Sequence, residues 1–175
     1  DTGFAGLTRR FDLLKPVIAA VNGLALGGGL EIVLACALAI AADHAQFGLP
    51  EPLVGLAALG GGGLQRLVRQ VPMKQAMGLA LTGKRVSAEQ ALRMGLVNEV
   101  VAATDLPARA KALAQELLAC AQEGETQVQV GFVGAAGPAL GRLVLLQQRD
   151  ALLDQRDGLV VLAHAGVRHA DADQG

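Results

Sequence analysis

The chain has 175 residues, 52% hydrophobic and 18% charged, with a formal net charge of −1. That length and apolar content suit one domain with a real core and exclude an intrinsically disordered segment. Near-neutral charge, with basic residues scattered and not interleaved with aromatics, excludes the electrostatic footprint of a nucleic-acid or anionic-membrane binder.

Aromatic residues make up only 2% of the chain, with no Trp or Tyr, so its core must be built from Ala, Leu and Val. The longest apolar run, 32–42, is too short to cross a bilayer and belongs in that core. Cys36 and Cys120 are isolated and read as reduced core thiols of an intracellular, cytoplasmic protein. No zinc-type spacing of Cys or His occurs, so no metal is expected. The first residue is Asp, not Met, and the native N-terminus is expected to lie upstream.

Leu7, Phe11 and Leu14 stand at helical spacing and predict a short helix over 1–14. Lys15-Pro16 stops it, since the residue before proline avoids the helical region. Residues 16–21 are continuously apolar, as in a strand covered on both faces. The chain then breaks at Asn22-Gly23 and passes through Gly27-Gly28-Gly29 into a helix over 30–37. A strand over 38–42 follows, then a short strand over 46–48 that leads into the turn Pro50-Glu51-Pro52.

A second glycine run, 60–63, opens a helix over 64–69. Pro72 suits the first helical position of a helix over 73–81, which Thr82-Gly83 closes. Ser87-Ala88-Glu89-Gln90 has the form of a capping box, so a helix starts at Ser87 and stops near Gly95. A short strand over 98–101 and an amphipathic helix over 106–121 complete the regular pattern. From about 123 the composition changes, and the end, 170–175, is polar.

The chemistry concentrates between Lys15 and Glu51. Glycines let a backbone turn tightly and approach a ligand without a Cβ in the way. A helix opening at them points its free N–H groups and the positive end of its dipole at whatever docks there, which suits a developing oxyanion. Glu31 is the one acid on an apolar helix flanked by Leu30, Ile32 and Val33, so it is expected to be partly desolvated. Glu51 sits between two prolines. Two carboxylates near such a site can supply the acid and base of a proton transfer. Each feature also has a plainer reading: an ordinary strand-to-helix turn, a first-turn glutamate favoured by the dipole, a solvated loop residue. The glycines are neither a Walker loop nor a Rossmann fingerprint. His44, His164 and His169 belong to no nucleophile elbow, and Met73, Met77 and Met94 read as core filler.

Several of these segments resemble the enoyl-CoA hydratase/isomerase (crotonase) family. They are KPVIAAVNG, ALGGGLE and AQFGLPE, followed by GLQRL and LTGKRVSAEQALRMGLVNEVV, in the family's order and spacing over roughly 11–120. The version GLAALGGGGLQRL looks like the branch of carnitinyl-CoA dehydratase-like hydratases, with an extra glycine before the Gln-Arg pair. Ala37 stands where the family commonly has aspartate.

The resemblance implies an α/β fold: a partial ββα spiral over 1–104, then a C-terminal helical segment over 105–175, divergent from about 123 and carrying either a native or a frame-shifted tail. It implies hydration of a 2-trans-enoyl-CoA, with Glu31 as base, Glu51 as acid and the Gly28 N–H in an oxyanion hole. Leu26, Gly27 and Pro50 would contact the substrate. Having both glutamates favours water addition over a double-bond shift. Coenzyme A would enter only as part of the acyl-CoA substrate, with no other cofactor and no metal. The partners implied are that substrate and further copies in a homotrimer or hexamer, with no nucleic acid and no membrane. Family members also carry an earlier A-G-x-D-type motif that supplies a second oxyanion N–H. Nothing in 1–14 matches it, so the chain as given is expected to fall short of a competent hydratase.

Overall fold

A computed structural model describes residues 2–13 and 16–120, together with strand segments at 129–134, 143–144 and 160–164. The architecture starts from β1 (Val17–Val21), all five residues of which are buried. Its side chains serve two cores in alternation. Ala19 and Val21 join the larger apolar cluster, whereas Ile18 and Ala20 join a smaller one beneath α5 (Leu106–Cys120). Covering a strand on both faces removes the usual polar alternation, which is why 16–21 reads as one apolar run.

After the bend at Gly23 the chain forms β2 (Leu24–Leu26), then α1 (Gly28–Ala35), and returns as β3 (Leu38–Ala42) and β4 (Gln46–Gly48). β3 runs parallel to β1, with Ile18 opposite Leu38 and Val21 opposite Ala41. β4 runs parallel to β2, with Ala25 opposite Phe47. One turn of the chain therefore places a strand in each of two sheets, with a helix between turns. Helices α2 (Gly63–Gln70) and α3 (Met73–Thr82) follow, then β5 (Val86–Ser87), α4 (Ala88–Met94) and β6 (Glu99–Val101). Beyond α5 the described residues form β7 (Gln129–Gly134), β8 (Leu143–Val144) and β9 (Val160–His164). The larger sheet has the order β6-β3-β1-β7-β9-β8 and the smaller β2-β4-β5.

With so few aromatics, the core is aliphatic as composition requires. Among the described residues Phe47 is the largest fully buried side chain, packed with Leu30, Leu49 and Leu67. Burial of each such side chain is worth about 1.5–3 kcal/mol. Leu106, Ala110 and Ala114, spaced four apart, form the stripe by which α5 covers Ile18 and Ile40. The capping box of α4 is formed: the Gln90 N–H donates to Ser87 Oγ at 3.3 Å, and the Ser87 N–H donates to Gln90 Oε1 at 2.9 Å.

Several expectations need correction. Among the described residues of 1–14 no α-helix forms, only a 3₁₀ turn, Phe4–Gly6. Gly3, Ala5 and Gly6 all have positive φ, which a right-handed helix cannot accept. Residues 1 and 14 lie outside the described residues. Pro72 caps α3 in an extended conformation (φ −53°, ψ 137°) and is not its first helical residue. Met73 and Met77 are exposed, and of the three methionines Met94 alone packs against the core. The sequence analysis places no strand at β2 or β5, which are three and two residues long. Cys36 caps the end of α1; its Sγ–H donates to the Ile32 carbonyl at 3.3 Å, and burial pushes the thiol up to about 12. The Cys120 side chain, His169 and the polar end at 170–175 lie outside the described residues.

Candidate active site

The site is built where the two smaller-sheet strands end and α1 begins. Gly27 stands between β2 and α1 with φ 53° and ψ −120°, a conformation open to glycine. Its N–H donates to the Gly48 carbonyl at the end of β4 (3.0 Å), and its own carbonyl accepts the Glu31 N–H (3.0 Å). This residue thus joins the ends of both strands to the first helical hydrogen bond. Gly28 opens α1, and the N–H groups of Gly28, Gly29 and Leu30 have no acceptor within the helix.

Glu31 lies in the same first turn and is 5% exposed. A carboxylate can be buried only with partners. Its partners come from the second glycine run: the Gly61 and Gly63 N–H groups both donate to Oε1, at 2.9 and 2.8 Å. A Cβ on Gly61 would stand 2.7 Å from Glu31 Cδ, and one on Gly63 would stand 3.0 Å from Oε1. The run is therefore a cradle fitted to one carboxylate as well as a helix start.

Glu51 begins a 3₁₀ turn, Glu51–Val54, capped by Pro50. Its Oε1 faces Gly27, where a Cβ would stand only 2.8 Å away. Its Oε2 is buried and has no hydrogen-bond partner. An unsatisfied buried oxygen costs about 1–3 kcal/mol and marks a place where a donor is missing.

An open cleft of about 480 Å³ is lined by Gly3, Phe4, Arg9, Gly28, Glu31, Gly60 and Gly61. That size suits part of an extended small-molecule ligand. Phe4 lies directly on Gly28, where a Cβ would meet the ring at 2.6 Å. The structure thus brings Glu31 and Gly28 into one cleft, with Gly27 adjacent in the chain and carrying Glu51 against its backbone. Leu26, Pro50 and Glu51 are not among the described residues lining the cleft. Reasoning from sequence missed Gly61 and Gly63 as donors, and Phe4 and Arg9 as walls. Four successive glycines were the available signal for the first pair; nothing in the sequence pointed to the second. His44 is exposed and, among the described residues, pairs only with its neighbour Asp43, at 3.4 Å. Among the described residues no cluster of three His, Cys, Asp or Glu could hold a metal ion.

Comparison with known proteins bears on this geometry. The chain is 50% identical over 116 residues to carnitinyl-CoA dehydratase of Salmonella arizonae, and 49% identical to that of Salmonella typhi. Each match covers 66% of this chain and 44% of the relative, so the chain spans less than half the length of these relatives. Among solved structures, a carnitinyl-CoA dehydratase from Mycobacterium avium 104 is similar at 51% identity and a TM-score of 0.66, covering 69% of this chain and 46% of that one. An enoyl-CoA hydratase from Mycobacterium tuberculosis H37Rv is similar at 47% identity and a TM-score of 0.62, covering 65% and 44%. The α/β spiral is accordingly a crotonase-type fold, of which this chain covers part. The family model described as enoyl-CoA hydratase/isomerase matches residues 1–140, and the chain belongs to that family.

Proposed function

We propose that this site adds water reversibly across the double bond of a 2-trans-enoyl-CoA, giving the 3-hydroxyacyl-CoA. One observation carries the reading: two carboxylates are built around a single glycine turn, Glu31 in the cleft with one oxygen pinned, and Glu51 with a buried oxygen lacking a donor. Glu31 takes a proton from a water as its oxygen bonds the β-carbon. The π electrons move toward the α-carbon and the thioester oxygen, and Glu51 delivers a proton to the α-carbon. The transient negative charge falls on the thioester oxygen, which the Gly28 N–H would hold. Leu26, Gly27 and Pro50 would shape the approach of the substrate. The proposed chemistry uses no metal and no redox cofactor; coenzyme A is the handle of the substrate.

A second reading, favoured by the names of the relatives, is dehydration of carnitinyl-CoA, the same chemistry run as an elimination on a different acyl group. Isomerisation, thioester hydrolysis and a purely structural role in an assembly are the remaining alternatives. A cytoplasmic homotrimer or hexamer serving fatty acid metabolism is the setting we propose. Among the described residues no helix is long and apolar enough to cross a membrane. The deciding assay follows loss of enoyl absorbance with crotonyl-CoA and formation of enoyl absorbance with carnitinyl-CoA, using the Glu31→Gln chain as the blank. Turnover of crotonyl-CoA above that blank supports hydration, and turnover of carnitinyl-CoA alone supports the second reading. Neither substrate reacting faster than with the blank, in this chain and in one extended to the relatives' length, would remove both.

A further inference from the structure

We propose that Arg66 is the positioning residue of this site: a single guanidinium holds the glycine cradle of Glu31 and ties it to the N-terminal segment that also lines the cleft. The inference rests on the hydration reading only for its catalytic arm. Arg66 lies on α2, and its two terminal nitrogens serve two different segments. Nη1 donates to the Gly61 carbonyl at 2.7 Å, and Nη2 donates to the Thr8 carbonyl at 2.6 Å. Gly61 is therefore held from both sides, its carbonyl by Arg66 and its N–H by Glu31 Oε1 at 2.9 Å. The backbone of Arg66 adds to this, since its N–H donates to the Gly62 carbonyl (3.0 Å), in the peptide unit whose N–H, that of Gly63, bonds Glu31.

The second bond reaches the N-terminal segment. Thr8 is buried and directly precedes Arg9, which lines the cleft with Gly3 and Phe4. Gly60 and Gly61 line the same cleft. The guanidinium also lies over the Phe11 ring, 5.6 Å from its centroid, so the same segment is gripped twice. Charge-assisted bonds from a planar fork are stronger and more directional than those of a neutral donor. A lysine offers a point charge and cannot serve two diverging carbonyls in this way.

The test compares the parent chain with Arg66→Ala and Arg66→Lys, with Arg69→Ala as control, because Arg69 is exposed on the same helix and, among the described residues, bonds only its own helix at Gln65. Amide hydrogen exchange at Gly61 and Gly63 should become about tenfold faster in Arg66→Ala, the equivalent of one net hydrogen bond, and should stay parental in the control. If the alanine variant does not fold, Arg66→Lys decides on the same readout. Unchanged exchange at both glycines in the folded variant overturns the proposal, whether or not the chain hydrates anything. If the parent turns over crotonyl-CoA, kcat should fall about 10²-fold while KM moves much less. A parental kcat beside faster exchange would overturn the positioning role as well. A parent with no turnover, here and when extended to the relatives' length, would defeat the hydration reading alone, leaving exchange at Gly61 and Gly63 to decide Arg66.

Discussion

The Glu51 carboxylate rests on the backbone of Gly27: a Cβ at Gly27 would stand 2.8 Å from Glu51 Oε1. The acid from the β4 side of the spiral and the turn that opens α1 are thus in contact, although they are far apart in the chain. Two consequences follow from one residue, since Gly27 also has φ 53° and ψ −120°.

Gly27→Ala should therefore damage both backbone and site. Holding a residue with a Cβ in that conformation costs on the order of 1–3 kcal/mol, and the added methyl must displace Glu51. Urea denaturation should show the midpoint falling accordingly, and any hydration activity should fall with it. A parental midpoint would show that the turn relaxes freely and that Glu51 is not seated on it.

Gly61→Ala acts through a different mechanism. Gly61 does not have a positive φ, so the backbone tolerates a side chain, but the methyl would stand 2.7 Å from Glu31 Cδ. The expected loss is about 1–3 kcal/mol, from a buried carboxylate deprived of one donor. A double-mutant cycle isolates it: in a Glu31→Ala background the same substitution should cost much less. Equal cost in both backgrounds would mean that the collision with Glu31 is not the cause.

Much of this arrangement was legible in the residues, and the rest was hidden for definite reasons. β1 and β3 showed as apolar runs because both of their faces are covered, and the α4 cap showed because its signal is local, from Ser87 to Gln90. Glu31 stood out as a lone acid among apolar neighbours. Its bonds to Gly61 and Gly63, however, join residues 30 and 32 positions apart, and no local pattern encodes such a pairing. Phe4 was assigned to a helix that left-handed backbone at Ala5 prevents, so its place over Gly28 could not be foreseen. The strands after α5 lie in the stretch where sequence patterning was weakest.

A pH-dependent contribution comes from outside the cleft. Arg109 on α5 donates from Nε and Nη2 to both oxygens of Glu99 on β6, at 2.6 and 2.7 Å, and from Nη1 to Glu116 at 2.7 Å. The bond from Arg109 holds the Glu99 carboxyl below the ordinary glutamate value of 4.5. A native pKa lowered in this way contributes stability that is fully present above 4.5 and disappears as pH falls through the lowered value. Glu99→Gln should thus lower the urea midpoint at pH 7, and parent and variant should converge in acid. The same difference at both pH values would assign the effect to packing and not to charge.

The most direct prediction concerns the two acids, and the structure explains why glutamine is the informative replacement. Glu31 uses one oxygen, Oε1, to accept from both Gly61 and Gly63. A glutamine carbonyl has two lone pairs and can accept the same two bonds, so Glu31→Gln should keep the cradle and the fold. What it cannot do is take a proton from water. Glu51→Gln likewise preserves size against Gly27 while removing the proton that the α-carbon would receive. Each change should reduce hydration by about 10²–10⁴-fold, the range for one acid or base, with thermal midpoints close to parental. The two effects should also be strongly non-additive, because both groups act in one proton-transfer sequence and the second loss removes little that the first has left. Crotonyl-CoA turnover by the two single variants and the double variant measures this. Multiplicative losses in the double variant would mean that the two carboxylates act in separate steps, and unchanged turnover in either single variant would remove that residue from the chemistry.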